Sequence, residues 1–193
     1  MSDLMDTLRL QVISCTKCNL SKSRTNAVAG KGSYNAEIIF IGEAPGRNED
    51  LKGEPFVGSA GKILSEALEY SGISRDDIFI TNVVKCRPPN NRIPLEEERN
   101  SCHQYLIDEL DIIKPKIICI LGNTAYGSIL GGSSITKNRG KIIKKNNQLY
   151  FLTIHPAAVI YTPSLKQVLK DDIKSLVETL EKIKKGIQVE TIS

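Results

Sequence analysis

The stretch Glu37-Ile38-Ile39-Phe40-Ile41-Gly42-Glu43-Ala44-Pro45-Gly46 decides how the chain folds. Four apolar residues in a row, three of them β-branched, halt at a glycine and a carboxylate. That is the pattern of a short strand buried on both faces, ending where the backbone has another task. Working outward, Ile78–Val84 repeats it and closes on the loop Arg87-Pro88-Pro89-Asn90-Asn91, and Lys116–Gly122 repeats it again. Gly140–Lys145 and Gln148–Ile154 read as a hairpin turned at Asn146-Asn147, its second arm ending at His155-Pro156. Helical patterns fill the gaps. Ser59 is placed to cap a helix to about Tyr70; Pro94 with Glu96, Glu97 and Glu98 opens one that runs to Ile113, before Pro115. Leu165, Val168, Leu169, Ile173, Leu176, Val177, Leu180 and Ile183 form a stripe on a last helix, Ser164 to about Lys184. Asp3–Ile13 reads as a short first helix and Glu43–Gly58 as a loop. Strand and helix alternating in this way predict an α/β chain, residues 1–193 forming one domain around a mostly parallel sheet covered on both faces. In such sheets ligands sit beyond the carboxyl ends of the strands. Three of those ends carry unusual polar groups: Glu43, Asn82 and His155.

The 193 residues are 40% hydrophobic and 25% charged, with a mean hydropathy of −0.17, which excludes a disordered or fibrous chain. No apolar run is long enough to cross a membrane, and the opening Met1–Asp6 has none of the basic and apolar character of a signal peptide, so a cytoplasmic protein is expected. Net charge is only +4, but residues 1–113 carry −4 and residues 114–193 carry +8. A basic half fits a polyanionic partner and equally fits a solvated surface.

Cys119 lies within an apolar strand and reads as a small core residue. Cys15 and Cys18 have the spacing at which two thiolates reach one metal centre; Cys86 follows a strand and Cys102 lies on the next helix. Four thiolates suit zinc or an iron–sulfur cluster, and spacing does not choose between them. A bare redox pair at Cys15/Cys18 is the alternative, against which stands its position at the end of a helix. Phe56–Lys62 resembles a phosphate loop only superficially, because Phe56 occupies the place of the required glycine and Ile63 that of Ser or Thr. Of the two histidines, His103 reads as structural, whereas His155 ends a buried strand and can face a ligand.

Taken together, Gly42-Glu43-Ala44-Pro45-Gly46 with Glu49-Asp50, Phe56-Val57-Gly58, Thr81-Asn82-Val83-Val84-Lys85-Cys86-Arg87-Pro88 and His155-Pro156 resemble the family 4 uracil-DNA glycosylases, prokaryotic and archaeal enzymes. The likeness runs from Cys15 to about Tyr161. It implies a three-layer α/β/α sandwich with a central four-stranded, mostly parallel sheet. It also implies hydrolysis of the N-glycosidic bond of uracil in single- or double-stranded DNA, with free uracil and an abasic site as products. Cys15, Cys18, Cys86 and Cys102 would hold a structural 4Fe–4S cluster. Gly42, Glu43, Ala44, Phe56, Asn82 and His155 would form the uracil slot, with Phe56 stacking on the base and Asn82 reading its edge. His155 would stabilise the leaving uracil anion, and Glu43 or Asp50 would handle water or the cationic sugar. The best-known uracil glycosylases have Asp where Ala44 stands. Ala157–Tyr161 resembles the segment that enters the minor groove. Lys85, Arg87, Arg139, Lys141 and Tyr161, with Lys137, Lys144 and Lys145, are candidates for the DNA surface. A monomer is expected, and the tail Gly186–Ser193 offers no clear sliding-clamp motif. A binding module or electron carrier with an inert rim, and a related glycosylase taking hypoxanthine or other deaminated bases, are the competing readings.

Overall fold

The computed structural model describes residues 2–192; Met1 and Ser193, the outermost residues of the two terminal segments discussed above, lie outside the described residues. In chain order the elements are α1 (Ser2–Ile13), β1 (Lys31–Gly32), β2 (Ile38–Gly42), α2 (Arg47–Lys52), α3 (Ser59–Tyr70), β3 (Phe79–Asn82), α4 (Glu96–Ile113), β4 (Ile117–Leu121), α5 (Asn123–Leu130), α6 (Ile135–Asn138), β5 (Ile142–Lys145), β6 (Gln148–Thr153), α7 (Ala157–Tyr161) and α8 (Leu165–Lys184). The sheet has six strands in the order β1-β3-β2-β4-β6-β5. The expected four strands, β3, β2, β4 and β6, are its parallel centre. The two additions are antiparallel edges: β5, the first arm of the expected hairpin, and the two-residue β1.

Alternation along the central strands builds the two cores. Ile39, Ile41, Ile118 and Ile120 point to the face covered by α1, α4 and α5, where they meet Met5, Leu8, Val12, Leu106 and Ala125. Ile38, Phe40, Ile117, Cys119 and Leu121 point to the other face, against Leu64 and Leu68 of α3 and Leu169, Ile173 and Leu176 of α8. Every residue of β2 and β4 is buried, as expected of strands sandwiched on both sides. The three-layer sandwich is therefore the observed architecture. No helix among the described residues is long and apolar enough to cross a membrane.

Strand order also locates the site. From β2 the chain steps to β3 on one side, then returns to β4 on the other, so the direction of winding reverses between β2 and β4. Loops leaving the two strands part there and open a crevice. The Glu43–Gly58 segment, expected as loop, contains α2, a mostly polar turn and a half of helix set between Gly46 and the left-handed Gly53. The expected cap Ser59 is the first residue of α3, and Gly58 is its N-cap, with no side-chain cap bond.

Candidate active site

The cleft beyond the carboxyl ends of β2, β3 and β6 has a volume of about 520 Å³ and is lined by Glu43, Ala44, Phe56, Asn82, His155 and Tyr161, among others. The three strand ends singled out from sequence therefore do converge. A second cleft of about 940 Å³, around Lys31, Lys62 and Arg75, backs onto the other side of the Phe56 segment and gathers none of them.

Register puts Gly42 beside Asn82. A Cβ on Gly42 would stand 2.5 Å from Asn82 Oδ1 and 2.7 Å from Phe56 Cζ, so only glycine lets the amide and the aromatic ring close over the end of β2. Asn82 is buried, and its Oδ1 is the one buried side-chain polar atom among the described residues without a hydrogen-bond partner. Leaving such an atom unmatched costs on the order of 1–3 kcal/mol, so it marks a place where a ligand donor is awaited.

Phe56 is buried with φ of 51°, a left-handed conformation unusual for a bulky residue. The turn is held from both sides. Glu49 Oε1 accepts hydrogen bonds from Val57 N (2.9 Å) and Gly58 N (2.7 Å), and Arg75 Nη2 donates to Pro55 O (2.8 Å). The ring lies 5.7 Å from that of His155, inclined by 31°.

His155 follows β6, and its Nδ1 accepts a hydrogen bond from Ala157 N at 3.1 Å. A backbone N–H can only donate, so Nδ1 is bare and the single proton of the neutral ring sits on Nε2. Burial lowers the pKa to about 4, against the opposing charge of Glu49, so at neutral pH the ring is an uncharged donor. Gly122, at φ of 87°, makes room for it: a Cβ there would stand 2.9 Å from the Cβ of His155.

The two candidate carboxylates part company. Glu43 lines the cleft, with Oε2 accepting the hydroxyl proton of Thr124. Asp50 does not line it. Its buried carboxylate accepts from Thr25 N (2.8 Å) and Asn26 N (3.2 Å), tying the segment before β1 to α2. The structure therefore places Asp50 outside the cleft, with Oδ1 holding two backbone N–H groups. Glu49 also lines the cleft; its Oε1 carries the Phe56 turn, and its Oε2 accepts no hydrogen bond among the described residues.

Of the basic candidates, one is corrected by its burial and another is paired with a carboxylate. Lys85 is fully buried; its Nζ donates to Thr81 Oγ1 (2.5 Å), Asn82 O (3.0 Å) and Glu109 Oε2 (2.7 Å), and it cannot reach a phosphate. Arg139 grips the buried Asp172 with both Nε (3.0 Å) and Nη2 (2.7 Å). Arg87 donates to Asn91 Oδ1 at 2.7 Å on the rim. Lys141 is exposed beside the site end of β6, whereas Lys144 and Lys145 pair with Leu149 and Gln148 at its opposite end. Tyr161, 86% exposed, projects from α7 beside Ile160. Arg47, Asn91 and Arg92 also line the cleft and were not singled out from sequence. Arg47 opens α2 and the other two sit at a short turn before α4, and no motif spacing marks them.

The thiols lie on the α1–α4 side of the sheet. Cys15 and Cys18 follow α1, and both pack against the core that contains Cys86 and Cys102. Lys17 N reaches Cys15 Sγ at 3.5 Å, Arg24 Nη1 reaches Cys86 Sγ at 2.9 Å, and Lys85 N reaches Cys102 Sγ at 3.2 Å. Burial raises Cys86 and pushes Cys102 up to about 11, and each is raised further by the charge of neighbouring thiols, Cys15 among them. Among the described residues no three such side chains crowd round a point as one metal ion would require. Cys119 stands apart, completely buried, as expected.

Comparison with known proteins agrees with this geometry. The family model for the uracil DNA glycosylase superfamily matches residues 29–182. A type-4 uracil-DNA glycosylase of Sulfurisphaera tokodaii is 50% identical over 186 residues, covering 91% of this chain and 84% of its own. One from Archaeoglobus fulgidus is 46% identical, covering 92% and 94%, and one from Thermotoga maritima is 42% identical, covering 93% and 96%. With the strand-end residues converging as the sequence motifs require, the chain belongs to the uracil DNA glycosylase superfamily.

Proposed function

We propose that the protein, acting as a monomeric cytoplasmic domain, removes uracil from DNA by hydrolysing its N-glycosidic bond. The observation that carries this reading is the orphaned Oδ1 of Asn82 in a slot beside Phe56 and His155. Uracil offers N3–H to that oxygen and O4 to the amide NH₂. Cytosine has a bare N3 and an amino group in those places, and would leave both amide groups facing their like. A base in a duplex must leave the stack to reach this depth. Phe56 offers the stacking face, a contact worth about 1–3 kcal/mol. Tyr161 and Ile160 on α7 are placed to wedge the gap left behind, with Arg47, Arg87 and Lys141 as candidate phosphate contacts.

The chemistry follows from the protonation states. As the C1′–N1 bond breaks, its electron pair moves onto uracil and the sugar becomes cationic. The Nε2–H of neutral His155 donates to O2, where negative charge grows. Glu43 keeps one oxygen unclaimed, on the cleft side, to hold water and take its proton as the water oxygen bonds to C1′. That proton passes to solvent, uracil gains one in exchange, and the balance is one water consumed.

The four cysteines fit a structural 4Fe–4S cluster. Their sulfurs are near enough to disfavour one another's ionisation, and three accept N–H hydrogen bonds. Such a cluster needs thiolates further apart than zinc does, and would tie α1 to β3 and α4. The test of the function is excision. An end-labelled oligonucleotide with one uracil should break at that position after alkali, and the same strand with cytosine or thymine there should stay whole. Equal cleavage of cytosine, or none of uracil by cluster-loaded protein, would overturn the reading.

A further inference from the structure

We infer that Thr124, at the start of α5, is a positioning residue that fixes Glu43 for its work on water; the inference rests on the role proposed for Glu43. The sequence motifs of the site come from the ends of β2, β3 and β6 and pass over the end of β4 altogether. Yet the reversal of winding falls between β2 and β4, so the segments leaving these two strands part there. Glu43 leaves β2, Thr124 leaves β4, and their side chains meet.

The contact is specific in its chemistry. A carboxylate only accepts, so the hydroxyl must spend its one proton on Glu43 Oε2. Glu43 makes no other side-chain hydrogen bond among the described residues, and no lysine or arginine pairs with it. A glutamate at a cleft edge has three rotatable bonds, so without Thr124 nothing would choose one rotamer over another. The hydroxyl itself is well fixed. Gly122 N bonds to Thr153 O at 3.0 Å, and Asn123 Oδ1 accepts from Ile135 N at 2.8 Å, so the turn carrying Thr124 is anchored to β6 and α6. Ser128 Oγ closes on Thr124 O at 2.7 Å. The same Gly122 turn seats His155, so one anchored turn sets both groups that face the breaking bond.

The experiment is single-turnover excision from a uracil oligonucleotide by cluster-loaded protein, with DNA affinity measured separately. Thr124→Val keeps the shape and removes the donor. Losing a hydrogen bond to a charged group should slow excision roughly 10- to 100-fold with affinity unchanged, and Thr124→Ser should restore most of the rate. In a Glu43→Ala background Thr124→Val should add no further loss, since there is no carboxylate left to hold. Thr124→Ala serves in the same way should the valine variant melt early. If Glu43→Ala excises at the wild-type rate, the role of Glu43 falls and this inference with it. If Glu43→Ala is slow but Thr124→Val is not, or loses the same factor with and without Glu43, the positioning role alone is overturned.

Discussion

Replacing Lys85 with methionine separates two incompatible roles for one residue. In the sequence it looks like a phosphate contact; in the fold its ammonium lies 2.7 Å from Glu109 Oε2, both side chains within 2% of full burial. Methionine fills the aliphatic volume but leaves the Glu109 carboxylate with only Gly30 N, at 3.0 Å, as partner. Stranding a buried charge in this way costs about 3–5 kcal/mol. For a chain of this length that corresponds to a fall in melting temperature of roughly 6–20 °C. Removing both charges, as Lys85→Met with Glu109→Leu, adds the stranded Gly30 N–H, about 1–3 kcal/mol, to the Thr81 and Asn82 acceptors that the lysine change already deprives of a donor, but leaves no buried charge. The double variant should therefore be more stable than the lysine single variant. The assay is equilibrium denaturation of cluster-loaded protein, together with DNA binding as a function of salt. If Lys85→Met melts like the wild type while its salt slope falls by about 0.9, the value of one lost phosphate contact, the buried-pair account is refuted.

Gly42→Ala should abolish excision with little change in overall fold, because its methyl would displace Asn82 Oδ1 and the Phe56 ring; excision within tenfold of wild type would contradict the packing described. His155 should not titrate between pH 8 and about 5, and heteronuclear NMR should show the Nε2–H tautomer. Because its folded pKa of about 4 lies below the ordinary 6.5, the unfolded chain takes up the proton first as pH falls. Stability from this group is intact above pH 6.5 and drains away toward pH 4, by an amount on the order of 3 kcal/mol, so a His155→Gln variant should show a flatter acid limb in denaturation. Serine at Cys15 or Cys86 should remove iron and visible absorbance and loosen α1 to proteolysis, whereas Cys119→Ala should leave the iron content unchanged.

What the sequence made legible was whatever its own local pattern encodes. The central strands are short apolar runs with polar or glycine ends, α3 and α8 have apolar stripes long enough to declare their period, and α4 is announced by Pro94 and its three glutamates. The elements it hid are short or composed against type. Asn123–Leu130 contains Gly127 and lies between Gly122 and Gly131, so it reads as loop and becomes helix only by packing Ala125 and Tyr126 into the core. Ala157–Tyr161 is boxed between Pro156 and Pro163. Among site residues, the motifs brought Asn82, Phe56 and His155 together correctly. They say nothing of a partner distant in sequence. Lys85 is drawn inward by Glu109, Arg139 by Asp172, and Asp50 by the backbone of Thr25 and Asn26. Thr124 carries no local signal at all, since its meaning comes from lying across the sheet from Glu43.

The most direct test of the whole account is single-turnover excision by the wild type, Asn82→Ala and His155→Ala, with folding checked by melting and cluster absorbance. The account predicts rapid uracil release by the wild type. It predicts losses on the order of 100- to 1000-fold in each variant, as expected when one preorganised partner of the reacting base is removed. Folded, cluster-loaded variants that release uracil as fast as the wild type would contradict it.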